Sequence, residues 1–144
     1  MKRIFIIMLI VVLISLLAVF VIIKVRENEA TEISKINSEY EKFKDTQVFG
    51  TDIASLINKV VDNNERHNVP KDENGLYVDN GINSIQMSVY IKTNETTYPI
   101  EQIYKLGTTK FVENFNLVYF KCTNIEYHEE TGLISKLVFE QIDE

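Results

Sequence analysis

The residues able to do chemistry in this chain are few, and they fall in separate places. The first is an acidic stretch holding Asp72, Asn74 and Gly75. These match positions 3, 5 and 6 of an EF-hand loop, where side-chain oxygens ligate calcium and glycine permits the turn. Position 1 would then be Pro70 and position 12 would be Gly81. Neither can ligate, so the pattern lacks its bidentate glutamate. A tight Asp-Glu-Asn-Gly turn explains the same residues without a metal.

The second place is Cys122, Glu126 and His128. On an ideal strand these even-numbered residues share one face. Glu126 and His128 would lie about 6.6 Å apart, close enough for one metal, but Cys122 would lie about 13 Å from Glu126. The cysteine therefore reads as a small core residue. His67 in a polar loop and His128 at a turn read as exposed, and Glu129-Glu130 as a solvated pair. No nucleophile-elbow serine and no glycine-rich phosphate loop occurs. No catalytic, metal or cofactor residue is assigned, and the chain reads as a non-enzyme.

Aromatic residues are the third group: seven Tyr and eight Phe with no Trp. Core packing accounts for most of them. Tyr119 and Tyr127 are spaced to share one face of a predicted strand. They are the candidates for contact with a protein partner.

Something must position these residues, and the first element is the plainest. Ile4 to Ile23 is one apolar run in which 17 of 20 residues are Leu, Ile, Val or Phe and only Ser15 is polar. Twenty helical residues span about 30 Å, the hydrocarbon thickness of a bilayer. Insertion is favoured by roughly 5–10 kcal/mol. Lys2 and Arg3 precede the run; Lys24 and Arg26 follow it. No small-x-small cleavage site follows, and the one cysteine is too distant for a lipoprotein signal. The run therefore reads as a permanent single-pass anchor in the lipid bilayer. Basic flanks are balanced, so orientation rests on the short leading tail, which favours an extracytoplasmic C-terminal domain.

Charge separates the two parts. All 21 acidic residues and 11 of the 15 basic ones lie from Glu27 onward, a net charge of −10. That balance repels phosphate backbones and argues against nucleic-acid binding. It favours cationic or basic partners.

After the anchor, residues 24–47 read as a juxtamembrane helix that continues the first to about Lys44, roughly 60 Å in all. Ile33, Ile36, Tyr40 and Phe43 are spaced 3, 4 and 3 and form one seam. Spanning less than two heptads, it is too short for a convincing coiled coil, so docking on the following domain is the preferred use and contact with a partner, including a second copy, the alternative. Gly50 breaks the chain before a second helix, with Thr51 or Asp52 as its cap. Ile53, Leu56, Ile57, Val60 and Val61 give that helix a strong apolar stripe.

Residues 65–75 read as loop, and 76–78 and 85–92 as strands. Residues 93–96 form a turn, and a short helix runs from Pro99 to Gly107 with another turn over 110–115. A hairpin of strands 116–127 and 133–142 closes the chain. Residues 48–144 thus form one small acidic α+β domain with a mostly antiparallel sheet.

The layout of basic tail, apolar helix and amphipathic continuation resembles type IV pilins and pseudopilins. That resemblance implies a filament subunit. Arg3 stands where those families cleave after glycine, and Met8 about where they keep a glutamate. The segments FGTDIASLINKVVDNN and FKCTNIEYHEETG resemble uncharacterised membrane-anchored proteins of Gram-positive bacteria. This implies a bacterial cell-envelope protein and carries no activity. The expected function is a membrane-anchored domain for protein–protein contact. A pilin-like subunit and a ligand sensor acting through a partner are the alternatives.

Overall fold

The structure is a computed structural model that describes residues 2–143. It divides into two compact units between Lys35 and Ile36.

Helix α1, Lys2–Glu41, supplies the first unit up to Lys35, and its last six residues belong to the second. Every side chain from Ile4 to Ile23 is exposed. Ser15 satisfies its hydroxyl within the helix, donating to the Val11 carbonyl at 2.9 Å. This is how a lone serine is accommodated in an apolar span. Nothing in the unit covers the apolar surface, which is compatible with a membrane anchor. The helix stops three residues short of Lys44. Lys44 N–H bonds the Glu41 carbonyl in a tighter turn, and Asp45 adopts a left-handed conformation (φ 57°) that ends it.

The second unit is an α+β domain. Its elements are β1 Gln47–Phe49, α2 Gly50–Arg66, β2 Gln86–Ile91, β3 Thr96–Pro99, α3 Ile100–Leu106, α4 Thr108–Phe115, β4 Tyr119–Tyr127 and β5 Ile134–Gln141, with a single 3₁₀ turn at Lys92–Asn94. The five strands lie in the order β1-β4-β5-β2-β3. All pairings are antiparallel except β2 with β5. The closing hairpin and mostly antiparallel sheet match the sequence expectation. Two strands were not expected, β1 and β3. The predicted strand at 76–78 is only a bridge between Lys71 and Tyr77.

Burial alternates along β2, with Met87, Val89 and Ile91 inside. These align with Leu137 and Phe139 of β5, and Phe139 with Cys122 of β4. That face packs against α2, whose Ile53, Leu56, Ile57, Val60 and Val61 are all 2 % exposed or less. Phe111, Phe115 and Phe120 join the layers, their rings 4.9–6.2 Å apart. Among the described residues no helix covers the opposite face. Its Lys121, Asn124, Glu126 and Glu140 are exposed.

Two buried asparagines hold the central strands. Asn64, fully buried on α2, accepts from Ile85 N–H and donates to the Ile85 carbonyl, both at 2.8 Å. Asn37, near the end of α1, accepts from Ile134 N–H at 3.0 Å and donates to the Gly132 carbonyl at 2.8 Å. Each amide acts as a short piece of strand, satisfying backbone groups at the start of β2 or β5.

Candidate functional site

Two bulges decide which side chains share a face. Thr123 is inserted between the Cys122–Phe139 and Asn124–Val138 pairs, and a second shift separates Glu126–Lys136 from Tyr127–Ile134. One inserted residue moves every later side chain to the other face. Tyr119 and Tyr127 therefore do not share a face, contrary to the spacing. Tyr119 pairs with Phe49 of β1 on the open side, ring centroids 4.6 Å apart. Tyr127 pairs with core residue Ile134, and its hydroxyl donates to Glu41 at 2.8 Å. Burial, and then that carboxylate, raise its pKa.

The same bulge breaks up the Cys122, Glu126, His128 set. Cys122 is buried beside Phe139, and burial pushes its thiol pKa up. Glu126 turns to the open face and bonds Lys136 at 3.1 Å. His128 is only 4 % exposed, so the expectation of an exposed histidine is corrected. His67 is exposed, at the end of α2.

The end of the α1 seam docks on the domain, so Tyr40 and Phe43 serve that use and not partner contact. Tyr40 is 3 % exposed and Phe43 packs edge-on against Phe139 at 6.1 Å, so both belong to the domain's own core. Burial, with Glu39 adding to it, raises the Tyr40 phenol to about 12. Neither is available to a partner. Ile36 is 40 % exposed, and the inward position is taken by Asn37. Ile33 belongs to the first unit and is half-buried.

The acidic loop is a turn. Asp72 Oδ1 accepts from the N–H groups of Asn74 and Leu76 at 2.9 and 2.8 Å, and Gly75 takes φ 78°. That oxygen is spent on backbone donors. Among the described residues no three of His, Cys, Asp and Glu gather as a metal-ligand set.

One group does bring catalytic residue types together: Asp79, Ser84 and His128. Their hydrogen bonds run the wrong way for a triad. Ser84 Oγ donates to Asp79 Oδ1 at 3.0 Å, not to the imidazole. His128 Nε2–H donates to the Ser84 carbonyl at 2.8 Å, and Nδ1 lies 3.5 Å from Asp79. Ser84 is fully buried. The Ser84 hydroxyl therefore makes no hydrogen bond to the imidazole, the contact through which a base would take its proton. The Gly81 N–H bond to Asp79 holds that carboxyl below the usual range, with Ser84 and His128 assisting against burial. The cluster locks the 79–84 loop to the β4–β5 turn.

The open sheet face carries an exposed apolar group at its β1 edge. Phe49 is 38 % exposed and stacked on Tyr119. Leu117, in the preceding turn, is 74 % exposed. Lys121, two residues along β4 from Tyr119, and its β5 partner Glu140 are exposed on the same face, while the Glu126–Lys136 pair lies at the far end of the hairpin. An exposed aromatic pair next to charged residues has the composition of a protein-contact patch. Phe49 was not anticipated as part of it, because β1 is too short to show a strand period. No protein-family model, curated protein or solved structure matches the chain.

Proposed function

We propose that this is a non-enzymatic, single-pass membrane protein of the bacterial cell envelope. It carries its acidic α+β domain on the extracytoplasmic side, and the Phe49–Tyr119 patch contacts a protein partner. The carrying observation is the asymmetry of the sheet. One face is sealed by helices, while the other exposes a stacked aromatic pair at its β1 edge. The net charge of −10 after Arg26 selects a partner with basic groups, so high salt weakens the complex.

Anchoring and orientation are tested together. The full chain should resist alkaline extraction from membranes, and protease added outside intact cells should remove the domain. A soluble protein, or a domain protected until the cells are lysed, would contradict the anchored, extracytoplasmic reading.

A further inference from the structure

A half-open groove of about 590 Å³ lies on the helix-covered side, between β2–β3 and α3–α4. That volume is within the range of roughly 300–1,000 Å³ typical of small-molecule sites. Ile91, Ile103, Leu106, Phe111 and Phe115 give it apolar walls. No acidic residue lines it, although acids outnumber bases 21 to 11 after Arg26. A second hollow of about 530 Å³ shows the contrast, since Asp72, Asp79 and Glu101 face it with Lys136.

The groove's polar groups are donors in excess. Lys110 is its one charged residue, and among the described residues its ammonium has no ion-pair partner. The Tyr98 hydroxyl accepts from Asn94 Nδ2 at 2.7 Å, which leaves its own proton free to donate. Asn114 Nδ2 is already bonded to the Lys110 carbonyl at 2.8 Å. An apolar slot whose lining includes an unpaired ammonium and a free phenol proton complements an apolar body with one anionic acceptor.

We propose that this groove binds a small amphipathic carboxylate. The hydrocarbon or aryl part lies on Phe111 and Ile103, and the carboxylate accepts from Lys110 Nζ and the Tyr98 hydroxyl. This site is on the side of the sheet opposite the Phe49–Tyr119 patch and does not depend on that patch's partner.

The test is calorimetric titration of the full chain in lipid nanodiscs with 4-phenylbutyrate and with 4-phenylbutanol, empty nanodiscs being subtracted. The acid should saturate in the millimolar range and bind more tightly than the alcohol. Lys110→Gln should weaken the acid roughly fivefold, the worth of one partly exposed ion pair, and leave the alcohol unchanged. Lys71→Gln, outside the groove lining, should change neither. Absence of saturable binding, equal affinity for acid and alcohol, or an unaffected Lys110→Gln variant would each overturn the proposal. A free-acid apolar tripeptide that binds more tightly than phenylbutyrate would also overturn it, assigning the groove to a partner's C-terminus.

Discussion

Asn64→Ala should lower the stability of the domain by about 3–4 kcal/mol, because two buried backbone groups lose their partners together. The N–H and carbonyl of Ile85 both bond this one side chain, which is wholly inaccessible to water. An exposed asparagine would cost a few tenths of that, since water would replace it. A domain of this size has roughly 5–15 kcal/mol in all, so the loss is a large fraction. Urea unfolding of the full chain, followed by near-ultraviolet signals from the tyrosines, would show a lower midpoint with an unchanged slope.

Asn64→Asp separates hydrogen bonding from volume. The carboxylate keeps the acceptor for Ile85 N–H but presents negative charge to the Ile85 carbonyl. Desolvation and that contact raise its pKa in the folded state. The damage is therefore greatest above the folded pKa and eases as the pH falls and the carboxyl regains a donor. A penalty below about 1 kcal/mol for Asn64→Ala would mean that the amide does not carry β2.

Gly50→Ala should be comparably severe, by about 3 kcal/mol, for a different reason. A Cβ at Gly50 would stand 2.0 Å from the backbone oxygen of Phe115 and 2.7 Å from its carbonyl carbon. Alanine at the start of a helix ordinarily gains up to about 1 kcal/mol over glycine. Here the steric term wins, because the obstructing atoms are backbone and cannot rotate away. The start of α2 and the end of α4 must separate, and with them the Gly50 N–H bond to the Val118 carbonyl at 3.0 Å. Gly75→Ala is the comparison. It meets no atom within 4 Å but sits at φ 78°, so its cost is conformational, about 1–2 kcal/mol. A thermal scan should rank Gly50→Ala well below Gly75→Ala, and the reverse order would remove the close-approach explanation.

Much of this was legible before the structure. The apolar run, the α2 stripe and the alternation of β2 are strong periodic signals, and each forms the element its period demands. Asn64 was legible in part. It continues the stripe of Ile53, Ile57 and Val60 at the next inward position, and a polar residue on an apolar face needs a buried partner. Asn37 lies the same way between Ile33 and Tyr40. The sequence could not say which strands those amides hold, because the partners are 21 and about 95 residues away.

The placement of the tyrosines failed for a local reason. Strand parity holds only while pairing is regular, and the insertion at Thr123 leaves no compositional mark. The same insertion scattered Cys122, Glu126 and His128. Strand β1 was missed because three residues are too few to show alternation. The groove depends on α3 and α4 meeting β2–β3, which no spacing along one element reveals.

The most direct measurement of the partner surface is photocrosslinking in intact cells. A photoreactive phenylalanine analogue would replace Phe49 or Tyr119 in turn, with Lys105 on α3 as the position away from the open face. Adducts of one common mass from positions 49 and 119, weakened by high salt and absent from position 105, are the predicted result. Adducts from position 105 alone, or none from either sheet position while the protein is folded and in the membrane, would contradict recognition through the open face.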